Sequence, residues 1–285
     1  MTFETTPQLL DSWSAFVTIA TTQFLGRWHF RGDLDDRPLQ PSIECAAGEW
    51  SVPLSDLPLI ERRLLREFKR AYPTTAEAPP PPLNDDLAWL AIMQHHGAPT
   101  RLLDWTYSPF VAAFFAFDKL LTCRDPVRKA AIWALSCQPF ENKAIQALLP
   151  TPALKEEFRK YSATREGPAF RAVFLEADPP VAFASPANPY RLNQRLVIQH
   201  GLFLCPGDIR RPFEENLASV PFATDGANLI KILLPRTLLA DALTSLQRMN
   251  ISHATLFPGV DGYARSLRHR IEFLRSSEFF DGTEY

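Results

Sequence analysis

Apolar residues recur at helical spacing in the first third of the chain. Trp13, Phe16, Val17, Ala20 and Phe24 share one face of a helix predicted over 12–25, which Gly26 ends. Ile60, Leu64, Leu65 and Phe68 line one side of a second helix over 58–72, with Arg, Lys and Glu opposite and Pro73 closing it. The run Pro79 to Pro82 is a stiff connector. Asn84 or Asp85 can cap a third helix through Trp89, Leu90, Ile92 and Met93, which Gly97 and Pro99 break. Ser108 and Pro109 are a cap and first-turn pair for an apolar helix over 110–121. Further helices are predicted within 141–161 (144–149 and 154–161), over 236–249 and over 261–274.

Between them lie strand patterns. Residues 28–32 read as a short strand stopped by a turn at Gly32, and 34–53 as irregular. Strands are also predicted over 100–105, 130–136, 169–175, 201–204, 229–234 and 254–257, and 192–198 reads as a helix start or an irregular entry. Unequal loops and helices separate the strands, which points to an α+β fold rather than a doubly wound sheet. The chain on either side of the proline run is too short to stand alone as a unit. One domain is therefore expected over 1–285, with a core of about 12–270.

Composition narrows the function classes. The 285 residues are 46% hydrophobic, enough for an ample core, and the formal net charge is -2. No overall basic charge signals nucleic-acid binding, although a local patch stays open. No apolar run is long enough to span a bilayer, and residues 1–10 lack a basic start followed by an apolar stretch, so neither a membrane segment nor a signal peptide is expected. Cys45, Cys123, Cys137 and Cys205 are scattered, which suits a cytoplasmic protein with reduced thiols. No metal site is expected, because His95 and His96 are adjacent and no His/Cys pairing has ligand spacing.

The candidate chemistry concentrates in 94–109. Gln94, His95, His96, Thr100, Arg101, Asp104, Thr106 and Ser108 crowd between two apolar helices. Buried unpaired, each would cost about 1–3 kcal/mol, so they satisfy one another or face a ligand. Arg101 beside Asp104 suits a buried ion pair. His95 or His96 can serve as acid or base, and Thr106 and Ser108 can offer hydroxyls to a ribose or phosphate. Ser108 is equally explained as a helix cap. Arg31 at a strand end can grip a phosphate, with Gly32 admitting the ligand, or can pair with Asp33, Asp35 or Asp104. Arg191 and Arg195 precede Gln199-His200-Gly201, a polar turn before a strand. Phe257 to Gly262 reads as a turn into the last helix, with Asp261 capping. Arg31, His95, Arg101, Asp104 and Gln199 are expected to line one cleft, since loops at strand ends carry sites. No phosphate loop, dinucleotide glycine fingerprint or nucleophile elbow is present.

At these positions the chain resembles the FRG domain family. The resemblance rests on Phe30-Arg31-Gly32 and on the Gln-His-x-Gly-x-Pro-Thr-Arg-Leu-Leu-Asp-Trp-Thr-x-Ser-Pro block of residues 94–109. It extends to Arg195 with the Gln-x-Gly-x-Phe of 199–203 and to the strand, helix and Phe-Pro-x-x-Asp-Gly of 230–262. The resemblance implies a fold like that of ADP-ribosyltransferases, a split and mostly antiparallel sheet flanked by helices that holds NAD as substrate in a cleft. Arg31 would orient the NAD phosphates, with Gly32, Gln94, His96, Thr100, Arg101, Thr106 and Ser108 as further binding residues. Gln199, Asp104 and His95 would be the catalytic set. Gln199 stands where the related transferases carry Glu, and an amide cannot supply charge to a developing cation, so a carboxylate from elsewhere, Asp104 or Glu176, is implied. The functions that follow are an NAD-using transferase or NAD-cleaving effector of toxin or phage-defence type, with an unspecified macromolecular acceptor. A non-catalytic nucleotide-binding or protein-interaction module on the same fold is the alternative.

Overall fold

The computed structural model describes residues 6–76, 78–137, 140–148, 150–190, 193–220 and 228–276. Among them are the strands β1 (Gln8–Leu9), β2 (Trp28–Leu34), β3 (Leu103–Thr106), β4 (Ala130–Ser136), β5 (Ala184–Ala187), β6 (Gly201–Pro206) and β7 (Leu229–Leu234). They form one open sheet in the order β1-β7-β4-β2-β3-β6-β5. Every neighbouring pair is antiparallel except β1 with β7. The helices are α1 (Trp13–Thr22), α2 (Ser42–Glu49), α3 (Leu57–Thr75), α4 (Asp86–His95), α5 (Pro109–Thr122), α6 (Phe140–Ala147) and α7 (Pro152–Thr164). They continue with α8 (Gly167–Phe170), α9 (Gln194–Ile198), α10 (Phe213–Ala218), α11 (Leu239–Arg248), α12 (His253–Leu256) and α13 (Val260–Ser276).

The sheet is covered on both faces, and β4 shows how. Ile132 and Ala134 join Phe16, Phe117, Ile232 and Leu246 in a core under α1, α5 and α11. Trp133 and Leu135, pointing the other way, join Trp89, Phe158, Phe170 and Leu202 under α3, α4, α7 and α8. A strand buried on both faces reads as an unbroken apolar run, which is why its bounds were plain in the sequence.

Several sequence expectations are corrected. Gly32 does not stop β2. The strand runs through it because α5 lies on that spot: a Cβ on Gly32 would stand 1.8 Å from the Ala112 carbonyl oxygen and 2.7 Å from the Ala116 nitrogen. The irregular stretch 34–53 contains α2. Residues 169–175 are helical rather than a strand, α8 running into a π-helical turn at Arg171–Leu175. Phe170 and Phe174, four residues apart, stack there at 4.8 Å, and a fully buried apolar run carries no period to distinguish helix from strand. Residues 254–257 are also helical: Ser252 caps α12, its Oγ accepting from the Thr255 amide while the Thr255 hydroxyl accepts from the Ser252 amide. The helix α3 continues through Pro73, and the strand expected over 100–105 begins only at Leu103. Asp261 lies in the first turn of α13. Leu149, Arg191 and Leu192 lie outside the described residues.

Candidate functional site

The strands β2 and β3 meet at a single register pair, Phe30 with Thr106. Beyond it, β2 stays on β4 from Arg31 to Leu34, while β3 stays on β6 from Trp105 to Leu103. The two halves of the sheet therefore splay apart, and side chains bridge the gap where ladder bonds would stand. Arg31 Nη1 donates to the Asp104 backbone oxygen at 2.8 Å, and its Nη2 to Asp33 Oδ2 at 3.0 Å. Lys119 of α5 reaches in with Nζ 2.6 Å from the same Asp33 oxygen. Burial alone would raise the Asp33 pKa, but Arg31, Lys119 and the Leu34 amide outweigh it and hold the carboxyl below its ordinary range. Burial, then the Arg31 charge, lower the Lys119 pKa against the pull of Asp33.

Arg31, Asp104 and Lys119 form the waist of a two-lobed cleft. The smaller lobe, about 180 Å³, adds Phe30, Trp105, Phe115, Arg195 and Gln199. The larger, about 660 Å³, adds Arg37, Gln40, Ser42, Cys45 and Gln94. Asp104 is exposed, and its carboxylate is held in place: Gln94 Nε2 donates to Oδ2 at 2.7 Å. Gln94 is itself oriented, its Oε1 accepting from the hydroxyls of Thr100 at 2.6 Å and Ser42 at 3.3 Å. Two buried donors of lining residues, Arg31 Nε and Trp105 Nε1, have no partner among the described residues.

The structure sorts the expected site residues. Arg31, Asp104 and Gln199 share the cleft as expected; Arg101 does not. Its partner is not Asp104 but Glu61 of α3, which it grips through Nε and Nη2 while Nη1 donates to the Phe174 carbonyl, all buried. Burial works against the Arg101 charge, and the Glu61 carboxylate outweighs it and raises the pKa. Thr100 is buried and serves Gln94. Gly32 lines the small lobe, but the face where its side chain would stand is filled by α5 rather than left for a ligand. The Thr106 hydroxyl donates to the Gln199 backbone oxygen at 2.7 Å and accepts from the Ser108 amide. The Ser108 hydroxyl accepts from the Val111 amide as the cap of α5. Gln199 is buried, its Nε2 donating to the Leu256 carbonyl at 3.0 Å and its Oε1 accepting from Arg195 at 3.3 Å. A glutamate in that pose would set a carboxylate against the Leu256 carbonyl. His95 and His96 are exposed at the end of α4 with rings 4.9 Å apart, and neither lines a lobe. Partial burial, His96 and Arg195 lower the His95 pKa. His200 sits exposed in a left-handed turn, φ 48°. Glu176 pairs with Arg171 on another surface, so of the two carboxylates considered only Asp104 is at the cleft. Among the described residues no group of three or more His, Cys, Asp or Glu could hold a metal ion.

Lys119 was missed in the sequence, where it stands as a rare charge on an apolar helix. Glu61 was missed too. Its signal was its place on the stripe Leu57, Leu65 and Tyr72, the buried side of α3.

One carboxyl on α2, outside the lining of either lobe, has a raised pKa. Glu44 of α2 accepts from the Phe213 amide at 3.0 Å and from Gln40, and burial, reinforced by Glu214 and Glu215, raises its pKa to about 7. A carboxyl raised on folding contributes stability that is full below its unfolded pKa, 4.5, and is lost as pH rises through about 7. Glu44→Gln is expected to remove this part of the decline in melting temperature between about pH 5 and pH 8. Parallel melting curves against pH check it, and identical slopes in both proteins would refute it.

Residues 26–124 match the family model described as FRG domain, a span that holds Arg31, Gln94, Asp104 and Lys119. No curated protein and no solved structure matches the chain. Among the described residues no helix is long and apolar enough to cross a membrane.

Proposed function

We propose that this chain, which carries an FRG domain over residues 26–124, binds NAD as substrate across the two lobes and cleaves its nicotinamide–ribose bond. The observation that supports this reading is the waist itself, where a held carboxylate, Asp104, adjoins the half-buried Arg31 guanidinium, whose Nε has no partner among the described residues. The larger lobe lies within the usual size of ligand pockets, about 300–1,000 Å³. Arg31 and Lys119 supply charge for a diphosphate lying over the waist. The apolar walls of the small lobe, Phe30, Trp105 and Phe115, suit a flat aromatic ring.

In the proposed step the carbon–nitrogen bond breaks and its electron pair leaves with nicotinamide. The ribose carbon becomes cationic, and Asp104 faces it with a full negative charge. Gln94 fixes that carboxylate beforehand, so little reorganisation is needed when charge develops. Water, or a nucleophile on an acceptor, then adds to the carbon and gives up its proton to solvent. Gln199 takes no part as a charge, because its amide is engaged with Leu256 and Arg195.

The test is nicotinamide release by the unaltered chain and by Asp104→Asn. Loss of a group that stabilises developing charge is expected to slow release about 100-fold or more while NAD binding changes only a few-fold. Equal rates in the two proteins would remove Asp104 from the chemistry. The neutral Gln199 favours a second reading, a nucleotide-binding module without turnover. On that reading NAD raises the melting temperature of both proteins and neither releases nicotinamide. A chain that neither binds NAD nor releases nicotinamide refutes both.

A further inference from the structure

The outward side of α3 carries a different chemistry, remote from the cleft. Arg62, Arg66 and Arg70 are exposed and four residues apart. At 1.5 Å per residue they make one row about 12 Å long. The row forms a wall of a groove of about 380 Å³ that also includes Lys69 and Arg171. Five cations there face two carboxylates, in a chain whose net charge is -2. Both carboxylates are already used. Asp86 is buried and pairs with Lys69 and Arg171, and Glu176 stands 3.7 Å from Arg171. Arg66 and Arg70 make no ion pair or hydrogen bond among the described residues, and Arg62 spends only its Nε, on the Pro58 carbonyl at 3.1 Å. Three exposed guanidiniums thus stand along one helix face without an ion pair of their own among the described residues. Such a row costs mutual repulsion unless an anion occupies it.

We propose that this groove binds the phosphodiester backbone of nucleic acid. The row is longer than a single phosphate or diphosphate can engage, so the ligand is an extended polyanion. A nucleic-acid strand carries its charge in the backbone and presents an anion at each step to a row of guanidinium forks. An extended acidic peptide carries its charges on side chains that alternate between faces, and offers only every second one. Among the described residues no aromatic side chain lines the groove, and its uncharged lining is Leu65, Leu83 and Leu175. Recognition is therefore through the backbone, without base stacking, and indifferent to sequence. The overall acidity of the chain hides this surface, because the positive charge is local to α3. The groove shares no lining residue with either lobe of the cleft, so the proposal stands or falls apart from the NAD reading.

The experiment is fluorescence anisotropy of a labelled oligothymidylate of about 20 nucleotides with the full chain, from about 50 mM salt upward. The unaltered chain is expected to bind at low salt, with affinity falling linearly in the logarithm of salt concentration. Arg66→Ala with Arg70→Ala is expected to weaken binding more than about 10-fold and to shallow the salt slope by about 1.4, at about 0.7 for each phosphate no longer neutralised. Arg66→Lys with Arg70→Lys keeps most of the slope. Both positions are exposed, so melting temperatures stay level and the loss is read as binding. Absence of binding at about 50 mM salt, or an unchanged slope in the alanine pair, overturns the proposal. So does displacement by polyglutamate at equal charge concentration, which would make the partner an acidic protein.

Discussion

Arg101→Met will lower the melting temperature by about 6–20 °C, an effect expected of scaffold and not of a ligand contact. The guanidinium is 3% exposed and the Glu61 residue 1%. Truncating one partner leaves the other charge buried without compensation, which costs about 3–5 kcal/mol. In a chain of this size each kcal/mol moves the midpoint by about 2–4 °C. The Phe174 carbonyl, which accepts from Arg101, loses its partner as well. The double variant Arg101→Met with Glu61→Leu removes both charges together and is expected to recover most of the loss, because well-packed apolar groups replace a buried pair at little cost. Thermal melting of the three proteins decides it. An Arg101→Met protein that melts within about 2 °C of the unaltered chain, and that no longer binds NAD, would return Arg101 to the site.

That pair also shows where sequence reading ran out. Arg101 and Asp104 are close in the chain, but Arg101 lies buried in a bend before β3 while Asp104 is exposed on the strand, so proximity in sequence misidentified the partner. The true partner, Glu61, lies 40 residues away on a helix whose charged side drew the attention. Elements with a periodic apolar face or an unbroken, well-bounded apolar run were legible: α1, α4 with its Asp85 cap, α5 with its Ser108 cap, β4 and β7. Elements defined by their neighbours were not. The strand β5 contains Pro186 and carries no strand pattern, yet an edge strand tolerates a proline that a central strand would not. The two residues of β1 pair with β7 and have no pattern of their own. The polar block of 94–109 was legible as unusual, and its division was not. Gln94 and Asp104 face the cleft, while Thr100, Arg101 and Ser108 serve the scaffold. That division depends on which carbonyls and amides the rest of the chain brings within reach.

Gly32→Ala is the other change expected to be severe, and it reaches from the fold into the cleft. The three atoms that a Cβ would strike, the Ala112 oxygen at 1.8 Å, the Ala116 nitrogen at 2.7 Å and the Ala112 carbonyl carbon at 2.8 Å, belong to the backbone of α5. No rotamer relieves a clash with backbone, so α5 has to move away from β2. Overpacking a core costs about 1–3 kcal/mol, and more where the neighbour cannot yield; here the helix is pinned by Phe114, Phe117 and Leu120, all essentially inaccessible. A loss of about 3 kcal/mol or more is therefore expected, with a matching fall in melting temperature. The same displacement draws Lys119 away from Asp33 and Phe115 out of the small lobe, so any ligand of the waist binds more weakly to whatever fraction still folds. Pairing Gly32→Ala with Ala116→Gly offers no rescue, since the obstructing atoms remain. Rescue by that second change, or a Gly32→Ala protein that melts like the unaltered chain, would show that the helix can give way. Gly32 would then be a place kept open for a ligand, as its setting beside Arg31 in the sequence suggests.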